Sequence, residues 1–430
     1  MQRPTVDLEY EQQPARVKLD KRAMATLFAV TLSGHIGFGI IIPQLPLFAE
    51  RYWDSGFGVG LLFSVYSICQ LIASPLLGAL SDKIGRRPVL IVSQLGSCAG
   101  YVLLGWALLT EWSVPIYGYW VIFLSRIIDG FTAGNVGAAQ AYIADVSRGD
   151  PGARSRALGL IGASFGIGFV IGPALGGLLS QWVAVSAPAF AAAGFTFGSA
   201  ILAAAVLREP AKHVDSDNSL SFKSVTRVLS DRSTGPLIGA WFTAMLAFVM
   251  VEPVASLLLA DERAFGFSEA QVGYFFGLVG LVIVLIQGGL IGRLVDAFGE
   301  WNLIIAGPAI VILGLLAYTG TTALPVLWLL GVAGVCGATG RSIHTVASAG
   351  LLSRYADDAR QGTAYGVYNG AASLARVIGP LIAGAAFDLA MFAPFVIAIA
   401  VMVVALAWLL ILRTRMRSLP EPATPEPVAA

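Results

Sequence analysis

The chain has 430 residues, 57% of them hydrophobic and 12% charged, with a net charge of +1 and a mean hydropathy of +0.77. Soluble domains carry about 25% charged residues, so this chain has too few to wet a globular surface and reads as a bilayer protein. The near-neutral charge balance gives no footing for a nucleic-acid partner.

Residues 1–23 are polar and read as a cytoplasmic N-terminal tail, with no cleavable signal ahead of the first apolar run. Runs long enough to span a bilayer follow at roughly 24–48, 58–79, 89–110, 115–144, 157–182 and 188–207. A second series lies at roughly 237–260, 271–294, 303–319, 325–352, 363–387 and 392–412. The reading is about twelve transmembrane helices in an all-α polytopic fold. Residues 24–207 form an N-terminal six-helix bundle and 236–412 a C-terminal one. Between them, 208–235 is a polar cytoplasmic linker, and 413–430 is a cytoplasmic tail. Within the linker, Phe222, Val225, Val228 and Leu229 fall at helical spacing among Lys223, Arg227 and Arg232. That pattern fits a short amphipathic helix on the membrane surface or a flexible tether.

The loop between the second and third runs is a charged knot, Gly78-Ala-Leu-Ser-Asp82-Lys83-Ile-Gly85-Arg86-Arg87-Pro88. Half a chain later, Gly292-Arg-Leu-Val-Asp296-Ala-Phe-Gly299 repeats its frame, which marks two tandem halves. If the N-terminus is cytoplasmic, Arg51 and Arg263 alone of the 27 Lys and Arg fall in loops on the far side. Arg126, Arg341 and Arg376 lie within spans. The asymmetry follows the positive-inside rule, with both termini cytoplasmic.

Intramembrane charges cost about 2.5–3.5 kcal/mol each at a helix centre and point to function. Arg126 and Asp129 share a face at i,i+3 and can neutralise each other, as a structural pair or as part of a proton path. Arg341 and His344 repeat that spacing in the tenth run. Arg376, in the eleventh, is suited to an anionic substrate or to stabilising the mid-helix. The fifth run carries Gly159, Gly168, Gly172, Pro173, Gly176 and Gly177. Of these, Gly168, Gly172 and Gly176 form a stripe without side chains, which permits close helix approach. Tyr66, Gln70, Trp241, Gln287, Tyr365, Tyr368 and Asn369 are polar or aromatic residues in spans, suited to an adaptable pocket or to helix packing. The cysteines Cys69, Cys98 and Cys336 read as small buried hydrophobes, and His35, His213 and His344 form no metal motif.

The knot at 78–90 resembles the loop signature of the major facilitator superfamily. The fifth-run glycines are similar to the signature of its proton-coupled antiporters, and Leu124-Ser-Arg126-Ile-Ile-Asp129-Gly130 is similar to its fourth-helix arginine signature. Tyr142-Ile-Ala-Asp145, Gly39, Pro43, Pro46 and Ser353-Arg354 resemble the tetracycline-exporter branch. The resemblance implies two six-helix bundles related by pseudo-two-fold symmetry, rocking about a central site lined by the first, fourth, seventh and tenth spans. Glu252 and His35 would then join the cavity with Arg126, Arg341 and Arg376. Asp129, Glu252, His35 and His344 become proton-coupling candidates. Gly78, Asp82, Gly85, Arg86, Arg87, Asp145 and Asp296 become the cytoplasmic gate. One departure stands out: Gly34, with His35 beside it, occupies the register of the first-helix aspartate of tetracycline exporters.

The expected function is proton-coupled efflux of small amphipathic molecules from a cell inner membrane, by a monomer with no cofactor beyond the proton gradient and no enzymatic activity. Alternatives are a metabolite or sugar symporter, and a lipid-moving or sensing membrane protein.

Overall fold

The computed structural model describes residues 21–133, 139, 142–143, 151–207, 209, 222–356 and 361–416. Asp145 lies outside the described residues, as do most of the linker and both tails. Among the described residues every regular element is helical. These are α1 (Lys21–Ile41), α2 (Leu45–Glu50), α3 (Gly56–Ile84), α4 (Arg86–Leu109), α5 (Pro115–Thr132), α6 (Pro151–Trp182) and α7 (Ala187–Val206). A short α8 (Phe222–Ser230) follows within the linker, then α9 (Thr234–Ala260), α10 (Glu269–Phe298), α11 (Glu300–Ala323), α12 (Leu327–Tyr355), α13 (Gln361–Leu389) and α14 (Ala393–Met416).

Local chemistry sets the breaks. The first span is divided because Pro43 follows Ile42 and Pro46 opens α2. A proline disfavours helix at the residue before it and is tolerated in a first turn. α3 and α4 are joined by Gly85 alone, at φ 108°, and α10 and α11 by Gly299 alone, at φ 74°. A one-residue reversal at positive φ is a position for glycine, so both repeated frames end on one. α10 contains a π turn at Ile286–Leu290, over Gln287-Gly288-Gly289.

Nine helices are long and apolar enough to cross a membrane among the described residues. α1, α5 and α12 fall short. The described apolar part of α1 is Ala25–Ile41, and the polar side chains of α5 (Arg126, Asp129) and α12 (Arg341, His344) lower their hydropathy.

Two bundles result. One core draws on Ile36, Leu62, Tyr101, Leu104, Tyr119, Ile122 and Ala192, and another on Phe248, Val254, Val311, Leu330, Ala375 and Phe395. α1 packs on α6 and α7, α4 on α5, and α11 on α12. The halves meet chiefly through two helix pairs, α3 with α13 and α6 with α10. Large apolar side chains such as Trp182, Leu278 and Trp328 are exposed, as befits a surface against lipid. The chain is a multi-pass membrane protein.

The fifth-run glycines serve both contacts of α6. A Cβ on Gly172 would stand 2.6 Å from the Gly39 carbonyl carbon of α1, and one on Gly177 would stand 2.5 Å from the Glu269 oxygen of α10. Neither distance is sterically allowed, so each glycine permits a backbone contact. The surroundings of Gly159 lie outside the described residues.

Candidate substrate site and gates

The charges of α5 fold onto one another. Arg126 Nη1 donates to Asp129 Oδ2 at 3.1 Å, with both side chains buried. The α5 backbone can sit this close to α4 because the α4 position opposite is Gly100, where a Cβ would meet Asp129 Cβ at 3.2 Å. Tyr101, one residue on, holds its ring 5.5 Å from the Arg126 guanidinium carbon, a cation–π contact. Arg126 Nη2 has no partner among the described residues. A narrow space lined by Phe38, Leu62, Tyr66, Tyr101 and Arg126 opens beside it.

The other half contributes a second charged group. Glu252 of α9 lies within electrostatic reach of Arg341 of α12 and Arg376 of α13. Arg376 also feels Tyr66 of α3, and Tyr66 feels Arg126 and Asp129. Among the described residues, no ion pair is formed by Glu252, Arg341 or Arg376. Arg376 keeps an exposed surface although it is mid-helix.

Other residues singled out in the sequence have different neighbours. His35 Nδ1 is 3.0 Å from Ser164 Oγ of α6, and its ring packs edge-on against Phe165. His344 is fully buried with Nδ1 3.1 Å from the Ile304 carbonyl oxygen. Its ring lies over Trp241, which stacks in turn on Tyr368 at 4.5 Å. Trp241 donates to the Tyr368 carbonyl oxygen, and Tyr368 Oη pairs with Ser348 Oγ at 2.8 Å. This column of three rings is buried inside the second bundle. Tyr365 donates to the Ala349 carbonyl oxygen, Gln70 to that of Ala133, and Gln287 to Ser342 Oγ. Asn369 is exposed.

The two ends of the bundles differ. At the end carrying the knot, here the basic end, Arg86 Nη2 lies 2.5 Å from Asp82 Oδ1, one turn away. The Arg86 and Arg87 backbone N–H groups donate to Glu209 at 2.6 and 2.9 Å, so Glu209 caps α4. Arg87 Nη2 donates to the Ala204 carbonyl oxygen. Asp296 is exposed. A Cβ on Gly78, Gly288, Gly289 or Gly292 would meet nothing within 4 Å. Polar contacts between described residues at this end stay within one half.

At the far end the halves are tied together. Asp388, at the end of α13, accepts from the Gly56 and Phe57 N–H groups of α3 at 2.5 and 2.9 Å and from Ser55 Oγ at 2.9 Å. Arg51 pairs with Glu269 at 3.1 Å, Gln44 donates to the Glu269 carbonyl oxygen, and Ser268 Oγ donates to Gln181 Oε1. Nearby, burial together with the charges of Asp54 and Asp261 pushes the Glu50 carboxyl up to about 7. Among the described residues, polar contacts join the two halves at the far end and none joins them at the basic end.

Sequence reasoning missed Tyr101, Asp388, Glu209 and Glu50. Tyr101 sits in a charge-free run, and the three acids lie at helix ends, where a carboxylate draws no notice until its partner is known.

Two bundles of long apolar helices, with charged side chains inside the helices of each half and polar ties between the halves at one end, fit a membrane transporter. The chain belongs to the major facilitator superfamily, whose model matches residues 27–380; it is a transporter and not an enzyme. It is 32% identical over 382 residues to the tetracycline resistance protein, class C, of Escherichia coli, covering 86% of this chain and 91% of that one. It is 28% identical to multidrug resistance protein 2 of Bacillus subtilis, over 89% and 94% of the two chains. The crystal structure of the human organic anion transporter MFSD10 matches with a TM-score of 0.66 at 24% identity, covering 92% of this chain and all of that one.

Proposed function

We propose that this protein exports small amphipathic molecules in exchange for protons, by alternating access of one central site. The observation that carries the reading is Glu252, a carboxylate inside α9 with no ion-pair partner among the described residues, within electrostatic reach of Arg341 and Arg376. A proton on that carboxylate and a substrate donor bound to it exclude each other, and such exclusion couples two opposed fluxes. Asp129 already has its counter-ion in Arg126, so we assign the exchanged proton to Glu252 and a framework role to the α5 pair. The positive-inside rule puts the basic end, and both termini, in the cytoplasm. On that topology the ties made by Asp388, Gln44 and Glu269 lie at the outer end, which is where an inward-facing state would be held shut. Relatives named for tetracycline and multidrug resistance support export, and their bacterial sources support an inner membrane.

The test is transport by the purified protein in liposomes containing a pH-sensitive dye. Outward gradients of ethidium, chloramphenicol and 1-naphthalenesulfonate sample a cation, a neutral molecule and an anion. Proton movement against the flow of at least one of them supports the proposal. Movement of protons with the substrate, or no proton movement during transport, overturns it.

A further inference from the structure

At the far end a helix cap crosses between the halves, beside the close backbone contacts of α3 with α13 and the Ser64 Oγ bond to the Val377 carbonyl oxygen. The first N–H groups of any helix lack intrahelical acceptors. In α3, Ser55 Oγ satisfies the Gly58 N–H at 3.2 Å from within the same chain turn. The Gly56 and Phe57 N–H groups are satisfied instead by the two oxygens of Asp388, more than 330 residues away on α13. Ser55 Oγ–H turns to the same carboxylate, so one side chain of the second half gathers three donors of the first. A carboxylate at a helix N-terminus gains from charge-assisted hydrogen bonds and from the helix dipole. The backbone is shaped for it: a Cβ on Gly56 would stand 2.6 Å from the Gly384 carbonyl oxygen, one turn before Asp388. By contrast, the Arg51–Glu269 pair has side chains 46% and 28% exposed, and such a pair contributes little. At the basic end of α3, the Asp82–Arg86 pair joins residues of the same half.

We propose that Asp388 is the latch of the far end, a conformational switch element: its carboxylate caps α3 only while that end is shut, and separation of α3 from α13 must break all three bonds at once. The latch therefore sets the balance between the two faces of the transporter, whatever the substrate and whether or not protons are exchanged.

The experiment measures distances between spin labels on the full chain in lipid nanodiscs. Cys69, Cys98 and Cys336 are replaced by alanine, and labels are placed at Glu111→Cys and Leu324→Cys for the far end and at Lys83→Cys and Arg293→Cys for the basic end. Loss of two or three charge-assisted bonds predicts that Asp388→Ala and Asp388→Asn shift the far-end equilibrium toward the separated distance by about tenfold or more. The basic-end labels draw together in the same variants, and Arg51→Ala moves either distance far less. Asp388→Asn keeps the side-chain volume, so a shift in it cannot be charged to lost packing. A melting curve of each variant in detergent identifies misfolded samples; for any that misfold, hydrogen exchange of the Gly56 and Phe57 amides in Asp388→Glu supplies the reading, with faster exchange expected. Unchanged distances in folded Asp388→Ala and Asp388→Asn, or a shift in Arg51→Ala as large as theirs, overturn the proposal.

Discussion

Arg126 and Asp129 answer a simple electrostatic problem: two opposite charges removed from water, 3.1 Å apart, inside the first bundle. Breaking such a pair from one side strands the other charge. Arg126→Gln is therefore expected to destabilise the protein by about 3–5 kcal/mol, while a double replacement of both residues by apolar ones costs much less than two such losses. Denaturation of the single and double variants in detergent checks this, and equal additive losses would deny the coupling. Glu50 makes a second residue-scale prediction. Its folded carboxyl titrates at about 7, above the ordinary 4.5, because of burial and then its acidic neighbours Asp54 and Asp261. The folded state holds that proton more tightly than the unfolded chain, so the stabilisation is complete below pH 4.5 and is lost as pH rises to about 7. Melting temperature should fall across that window in the wild type, and the fall should be shallower in Glu50→Gln.

At the scale of helices, the glycines divide by what faces them. Gly172→Ala drives a methyl into α1, and an overpacked contact of this kind costs about 1–3 kcal/mol. Gly78→Ala meets open space and, in a helix interior, should be neutral or stabilising by up to about 1 kcal/mol. If the basic end closes during transport, Gly78→Ala will melt no lower than wild type and yet transport more slowly; an unimpaired transport rate would show that the space around Gly78 stays open.

Much at this scale was legible in the sequence because local physics fixed it. A one-residue turn at positive φ demands Gly85 and Gly299, and the doubled frame announced the two halves. The stripe through Gly168, Gly172 and Gly176 marked a close approach, although not that Pro173 and Gly177 serve a second contact across the halves. The i,i+3 charges on α5 declared a pair. What could not be read was direction and distance. A polar residue in a span does not reveal whether it faces a pocket or its own bundle: for Trp241 and Tyr368, suited on sequence to either, and for His344, the structure shows packing in the second bundle. Asp388 caps a helix more than 330 residues away, and no spacing rule reaches that far.

For the whole molecule, charge and closure have to be considered together. The two bundles are tied at the far end by Asp388, Gln44 and Glu269, and Glu252, Arg341 and Arg376 of the second half lie within electrostatic reach of one another. On the proposed alternating-access reading, a proton on Glu252 changes the charge presented to Arg341 and Arg376. Proton exchange in liposomes loaded with a transported compound, compared among wild type, Glu252→Gln and Asp129→Asn, tests this most directly. The account predicts that Glu252→Gln moves substrate down its gradient without proton counterflow, while folded Asp129→Asn retains counterflow per substrate moved. Counterflow that survives in Glu252→Gln and disappears in Asp129→Asn would contradict it and put the exchanged proton on the α5 pair.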